Sequence, residues 1–190
     1  MIDYANYTRN EKRQKTHRIL NTILSLMVIF MGWKTIPPIY EELSGLTADR
    51  IEQEEIAQIV EDEGYKPRPY KDSRGLWTIG FGHLIKEDET FLNGINAKDA
   101  IDMLRKDYEY AKYSVEQNYP WAVGEVKLVL TNMTYQMGAT GVSNFKMALI
   151  HLKEKKWDEA AGEMLNSVWA RQTPNRASRL AGRIMALENE

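Results

Sequence analysis

Two carboxylates in unlike surroundings, Glu63 and Asp72, are the residues whose types and spacing point most directly to chemistry. Glu63 falls at the end of a predicted helix, where the terminal carbonyl groups favour a neutral carboxylic acid. Its neighbours Glu61 and Asp62 add negative charge and act in the same direction. Asp72 falls in a predicted turn, where it is more exposed and stays ionised. A proton donor facing an ionised carboxylate is the pair that cleavage of a glycosidic bond requires.

The residues alone leave a plainer interpretation open. The chain has 27 Asp and Glu residues, so many pairs of this kind occur, and a glutamate at a helix end and an aspartate in a turn are often only solvated. Other chemistry has less support. There is no cysteine, and the three histidines, His17, His83 and His151, are scattered without a metal-binding spacing. We therefore expect no cofactor, no metal site and no thiol chemistry.

The elements that must position the two carboxylates follow from periodicity and turn residues. A helix is predicted from about Asp49 to Glu63, with Gly64 as its C-terminal cap. A small antiparallel hairpin or meander is predicted between Arg68 and about Leu84. Asn96 is the predicted N-cap of a long helix that ends before Pro120. Further helices are predicted at about 123–137, 148–155, 157–168 and 175–187. The layout is an α+β lobe, a connecting helix and a helical lobe.

Composition limits the classes of partner. With 25 Lys and Arg against 27 Asp and Glu, the net charge of -2 gives no global signal for nucleic acid, and we expect none as a partner. The stretch from Lys146 to Arg183 holds eight Lys and Arg against four acidic residues. Such a run is typical of solvated helix faces, or of a basic lobe that holds an anionic polymer.

The N-terminal region is predicted to contact a membrane. The run from Ile19 to Trp33 has no charge, and Lys12, Arg13, Lys15 and Arg18 precede it. Fifteen helical residues rise about 22 Å, which makes a marginal span, and the positive residues keep the N-terminus in the cytoplasm. A cleaved signal peptide and a buried core helix are the alternatives to an uncleaved anchor. Pro37 and Pro38 are expected to end any helix. The predicted division of the chain is then a basic segment at 1–18, a signal anchor at 19–36, a linker at 37–48 and a catalytic domain at 49–190.

Three motifs resemble the lysozymes of the T-even bacteriophages, glycoside hydrolase family 24. The first joins Glu63-Gly64, Tyr70-Lys71-Asp72 and the run 77–83, with Asp72 nine positions after Glu63 and Thr78 six after Asp72. The second is the run 135–142, and the third joins 157–161 with 172–177. Together they cover roughly Ile56 to Leu187, in order and without large gaps.

The resemblance implies a lysozyme-like α+β fold and an inverting mechanism. It implies Glu63 as the general acid, Asp72 as the carboxylate that positions or activates water, and Thr78 as a hydroxyl that aids that water. It also implies an ion pair between Arg176 and Glu63. Four further residues are expected to support catalysis or bind substrate. His83 is expected to be a structural ion-pair partner, and Arg176 is expected to orient the acid. Tyr135 and Gln136 are expected to line the cleft.

The chain departs from the family pattern at several positions. Arg74 stands where the family has Glu, Glu163 where it has Asn, and Ala148 where it has Ser, so substrate contacts are expected to differ. A lytic transglycosylase and a catalytically silent wall-binding membrane protein are the rival functions.

The N-terminal fifty residues resemble those of signal-anchor-release endolysins. This resemblance implies a muramidase that acts on peptidoglycan strands during host cell lysis, held in the inner membrane through residues 19–36 with its catalytic domain in the periplasm. A holin or pinholin is the expected functional partner, release in soluble form is a possible later step, and we expect a monomer.

Overall fold

The protein is described as a computed structural model over residues 36–72 and 75–189, with side chains from Arg50 onward. Glu54–Glu190 forms one compact unit. The helices are α1 (Ile36–Glu63), α2 (Ala97–Asn118), α3 (Gly124–Ser143), α4 (Lys146–Lys153), α5 (Trp157–Leu165), α6 (Val168–Gln172) and α7 (Pro174–Met185), followed by a short 3-10 turn, Ala186–Asn189. The strands are β1 (Lys66–Lys71), β2 (Trp77–Gly80) and β3 (His83–Leu84). The predicted α+β, lysozyme-like fold is confirmed.

Helix α1 begins earlier than the sequence indicated. We expected Pro37 and Pro38 to end any helix and a linker to follow, but the backbone is helical from Ile36 to Glu63. Both prolines lie in the first turn, where the backbone N–H groups have no partner within the helix, so their absence breaks no hydrogen bond. The predicted end is correct: Gly64 has φ +66° and donates from its N–H to the carbonyl of Val60 at 3.1 Å.

The predicted hairpin region forms a three-stranded antiparallel sheet in the order β1-β2-β3. Tyr70 pairs with Thr78, and Lys71 pairs with Trp77. The turn between β1 and β2 is closed by a hydrogen bond from the Gly75 N–H to the Asp72 carbonyl at 2.9 Å, and Gly75 has φ +79°, which favours glycine.

Helix α2 connects the two parts of the core. The Asn96 side chain caps its start by accepting from the Asp99 N–H at 2.9 Å, as predicted. The first half of α2 packs with Ile59 of α1 and with Phe81 of the turn after β2 in a small apolar cluster. Its last buried residue, Val115, packs into a larger cluster formed by the C-terminal helices. The acidic end of α1 and the sheet are thereby fixed to one side of α2.

Two C-terminal helices differ from their predicted extents. Helix α3 runs past Met137, but Gly138 lies inside it with non-helical angles, so the predicted end marks a real break. The helix expected over 157–168 ends at Leu165, and a short helix that was not predicted, α6, begins at Val168. Ser167 separates them because its side chain accepts from the Ala170 N–H and starts α6.

No helix within the described residues is long and apolar enough to cross a membrane. The predicted basic segment at 1–18 and the apolar run Ile19–Trp33 lie outside the described residues, so the proposed division into domains stays a prediction.

Candidate active site

Glu63 is the last residue of α1, and its carboxylate is held from two sides. Arg176 of α7 donates from Nη2 to Glu63 Oε1 at 2.9 Å, as the resemblance implied. The other oxygen lies against the turn after β2, where a Cβ on Gly82 would stand 3.2 Å from Glu63 Oε2. The side chain keeps 23% of its surface exposed, so it is both oriented and accessible.

The second carboxylate beside this acid is neutralised, which corrects the electrostatic expectation. Asp62 accepts from Arg176 Nε at 2.8 Å and from Arg179 Nη2, so its negative charge is balanced by two guanidinium groups. Arg176 is 4% exposed and bridges Asp62 and Glu63, which rules out a plain surface charge. Glu63 is therefore positioned by a buried arginine shared with its neighbour.

Asp72 and Thr78 are held by the same backbone unit. The Leu76 N–H donates to Asp72 Oδ1 at 2.9 Å, and the Asp72 N–H donates to the Leu76 carbonyl at 2.9 Å. That carbonyl also accepts from Thr78 Oγ1 at 3.2 Å. Thr78 is only 4% exposed, so its hydroxyl sits at the base of the turn and not at its rim. The turn and strand β2 thus fix both side chains together.

Tyr70 belongs to this site, although sequence reasoning gave it no role. It faces Thr78 across the sheet and precedes Asp72 by two positions, so all three side chains lie on one face of the strands. Burial raises the pKa of Tyr70, and the negative charges of Glu63 and Asp72 raise it further, which places the phenol in the field of both carboxylates. Its hydroxyl makes no hydrogen bond within the described part of the chain. The tyrosine two residues before the aspartate was the available signal.

Tyr135 and Gln136, expected to line the cleft, have their polar ends engaged. The Tyr135 hydroxyl donates to the Phe81 carbonyl at 2.7 Å, which ties α3 to the turn beside Glu63. Burial raises the pKa of Tyr135, so the hydroxyl remains a donor. Gln136 Oε1 accepts from the indole of Trp169 at 2.6 Å. The Tyr135 bond therefore supports the turn beside Glu63, and the Gln136 bond joins α3 to α6.

His83 makes the ion-pair contacts that were expected of it. Its Nδ1 lies 2.6 Å from Asp107 of α2, and its Nε2 lies 2.8 Å from Glu89. The hydrogen bond to Asp107 is the main cause that raises the pKa of His83, burial opposes it, and Glu89 adds to it. The buried ring therefore fastens β3 to α2 and to the loop between them. Within the described ranges, no group of three or more His, Asp or Glu residues is placed to hold a metal ion.

Comparison with known proteins gives this arrangement a family. Residues 60–184 match the phage lysozyme family, and this range contains Glu63, Asp72, Thr78 and Arg176. The chain belongs to the phage lysozyme family. Two relatives from Dictyostelium discoideum, "Probable T4-type lysozyme 1" and "Probable T4-type lysozyme 2", are 37% and 36% identical over 146 residues, covering 63% of this chain and 86% of each relative. The "Pre-baseplate central spike protein Gp5" of Enterobacteria phage T4 is 28% identical over 147 residues, covering 63% of this chain and 25% of that protein.

Family membership makes this chain a lysozyme-type glycosidase with peptidoglycan as its substrate. Of the three positions that depart from the family pattern, Arg74 lies outside the described residues. Ala148 is buried in α4 with 3% exposure, while Glu163 is exposed on α5. The basic stretch is less basic in the fold than in the sequence, because Arg176, Arg179 and Arg183 all pair with carboxylates.

Proposed function

We propose that this lysozyme is a muramidase that hydrolyses the β-1,4 bond between N-acetylmuramic acid and N-acetylglucosamine, with Glu63 as the proton donor. The observation that supports this most strongly is that a partly exposed Glu63, held by Arg176, and an Asp72 fixed by the Leu76 backbone both lie close enough to Tyr70 for their charges to raise its pKa. One carboxyl donates its proton to the leaving oxygen while the other directs water to the anomeric carbon.

In this proposal the reaction inverts the configuration of the anomeric carbon. Thr78 supports the water beside Asp72, since its hydroxyl donates to the Leu76 carbonyl and keeps its oxygen lone pairs as acceptors. Tyr70 donates a hydrogen bond to the sugar or water between the two carboxylates, because its raised pKa keeps the phenol protonated.

The decisive test compares Glu63→Gln with Glu61→Gln. Both change an acid to its amide on the last turn of α1, but Glu61 is exposed and bonds only to Gln58 in the described contacts. We expect Glu63→Gln to lower the rate of glycan cleavage by about 100- to 10,000-fold, the usual contribution of a general acid, and Glu61→Gln to leave it within about twofold. Similar rates in the two variants would contradict the assignment.

Analysis of the products separates hydrolysis from the rival reactions. Mass spectrometry of the muropeptides should show reducing ends that carry one added water, and nuclear magnetic resonance of the first product should show the inverted anomer. Products with 1,6-anhydro ends would identify a lytic transglycosylase. Intact glycan strands with the wild-type chain would identify a silent wall-binding protein.

We further propose that the enzyme is a monomeric endolysin exported by a signal anchor at residues 19–36, with its catalytic domain in the periplasm and a holin or pinholin as functional partner. The charge-free run Ile19–Trp33, which follows Lys12, Arg13, Lys15 and Arg18, supports this. Alkaline extraction of membranes should retain the full chain and lose a chain that starts at Ile39. Repeating the extraction after an uncoupler tests release, and a full chain that is extracted without the uncoupler would refute the anchor.

A further inference from the structure

The outer face of the sheet carries an exposed tryptophan. Of the four described tryptophans, Trp169 is buried, and Trp121 and Trp157 pack against the larger core cluster. Trp77 is different, because 53% of its surface is exposed, although it begins a strand whose other residues are buried. Large apolar side chains left in water are often binding surfaces, and an indole is a suitable platform for a sugar ring.

A lysine stands beside this indole. Lys71 is the direct cross-strand partner of Trp77, and its Nζ lies 5.4 Å from the centre of the ring. Lys71 has no carboxylate partner within the described residues. Neighbouring residues of a strand point to opposite faces, so this pair lies on the face opposite to Tyr70 and Thr78. A ligand on Trp77 would therefore meet a positive charge without entering the catalytic site.

The charge of strand β1 agrees with an anionic ligand. Lys66, Arg68 and Lys71 are all exposed on this six-residue strand, and no ion pair joins any of them to an acidic residue in the described part of the chain. Lys71 supplies the charge beside Trp77, whereas Lys66 lies over the ring of Tyr70, 5.0 Å from its centre. The three arginines of α7, in contrast, pair with the carboxylates of Asp62, Glu63, Glu55 and Glu125. Lys71 therefore brings an unpaired positive charge to the Trp77 face, where it attracts carboxylates over about 10 Å at moderate salt.

We propose that Trp77 and Lys71 form a second peptidoglycan-binding site, which takes the apolar face of a saccharide ring on the indole and a stem-peptide carboxylate on the ammonium group. The ligand class rests on the proposed muramidase function, since peptidoglycan combines sugar rings with carboxylate-bearing peptides. The site binds a glycan strand other than the one being cleaved, because it faces away from Glu63 and Asp72. Its role is to keep the enzyme on an insoluble, multistranded substrate.

The test measures binding of Glu63→Gln protein to purified peptidoglycan sacculi by depletion from solution. In this background we expect Trp77→Ala to raise the dissociation constant about five- to tenfold and Trp77→Phe to recover most of that loss. Tyr110→Ala is the matched control, because Tyr110 is an aromatic residue of α2 with 76% exposure. We expect Lys71→Gln to raise the dissociation constant about two- to threefold at low salt, and we expect this increase to disappear at high salt.

Two further arms keep the test independent of folding and of the proposed activity. Binding to chitin, which has sugar rings but no carboxylates, should respond to Trp77→Ala and not to Lys71→Gln. In the active chain, Trp77→Ala should slow cleavage of sacculi and leave cleavage of short soluble oligosaccharides unchanged, which also shows that the variant folds. The proposal would be overturned if the Trp77→Ala and Lys71→Gln variants bound sacculi as tightly as the Tyr110→Ala variant. It would also be overturned if Trp77→Ala lowered the rates of cleavage of sacculi and of soluble oligosaccharides equally. Inactivity of the wild type towards both substrates would instead contradict the muramidase function and leave the binding result to stand alone.

Discussion

The ring of His83 offers a quantitative test of the packing that holds the sheet. The ring is 6% exposed and lies between the carboxylates of Asp107 and Glu89 at 2.6 and 2.8 Å. A hydrogen bond to a charged group contributes about 1.5–3 kcal/mol. Burial of the imidazolium opposes this gain, and the two carboxylates are 31% and 25% exposed, so we expect about 2 kcal/mol in total.

The sign of the pH dependence follows from the direction of each shift. The pKa of His83 is raised in the folded protein above its ordinary value of 6.5, so the stabilisation is fully present below that value. It is lost as the pH rises through the raised folded pKa. The pKa of Glu89 is lowered despite the opposing effect of its burial, because the Lys86 N–H and His83 bind the carboxylate. The stabilisation from Glu89 is fully present above its ordinary pKa of 4.5, and it is lost as the pH falls through the lowered pKa of the folded protein.

Thermal unfolding of the wild type, His83→Gln and His151→Gln across this range measures the effect. At about pH 6 we expect His83→Gln to melt roughly 4–8 °C below the wild type, the shift for about 2 kcal/mol in a chain of this size. The gap should narrow at alkaline pH. His151 is the matched control histidine, since it has no carboxylate hydrogen bond in the described residues, and its variant should not reproduce the loss of stability seen with His83→Gln. A gap between His83→Gln and the wild type that is constant from acid to alkaline pH would refute the reasoning.

Three further changes test the site and its support. Arg183→Met should lower the free energy of unfolding by about 3–5 kcal/mol, because it leaves the 2%-exposed carboxylate of Glu55 without its arginine, and chemical denaturation should show partial recovery when Glu55→Leu is added. Gly82→Ala should destabilise the fold by about 1–2 kcal/mol at φ +90° and lower the lytic rate roughly ten- to hundredfold, since the added Cβ presses on Glu63 Oε2. An unchanged rate would show that Glu63 is not held there. Tyr70→Phe should reduce kcat roughly tenfold with little change in melting temperature, and an unchanged kcat would remove Tyr70 from the site.

Local features were the part of this fold that the sequence could predict. The Asn96 cap, the Gly64 stop and the turn ending at Gly75 are each fixed by residues within a few positions, and all three are present. The predicted start of α1 was wrong. Pro37 and Pro38 would break the interior of a helix, but they lie in its first turn, where prolines are accepted. The separate helix α6 was missed because its N-cap, Ser167, lies inside an apolar pattern and resembles an ordinary helical residue.

Long-range electrostatics could not be predicted from the residues. Asp62 was expected to repel a charge on Glu63, but two arginines more than a hundred positions later in the chain neutralise it. The partners of His83 were likewise invisible, since Asp107 lies 24 positions away and Glu89 is one of many surface acids. The family motifs supplied the Arg176 contact, which no local pattern indicates.

The pairing of α1 with α7 has a consequence for synthesis. Glu55, Asp62 and Glu63 are translated more than a hundred residues before their partners Arg176, Arg179 and Arg183. A nascent chain that lacks α7 carries several unbalanced carboxylates along α1. These carboxylates resist burial until α7 is present. The cutting centre is therefore completed only after α7 has been translated, and a product truncated before α7 would be left without a properly seated proton donor.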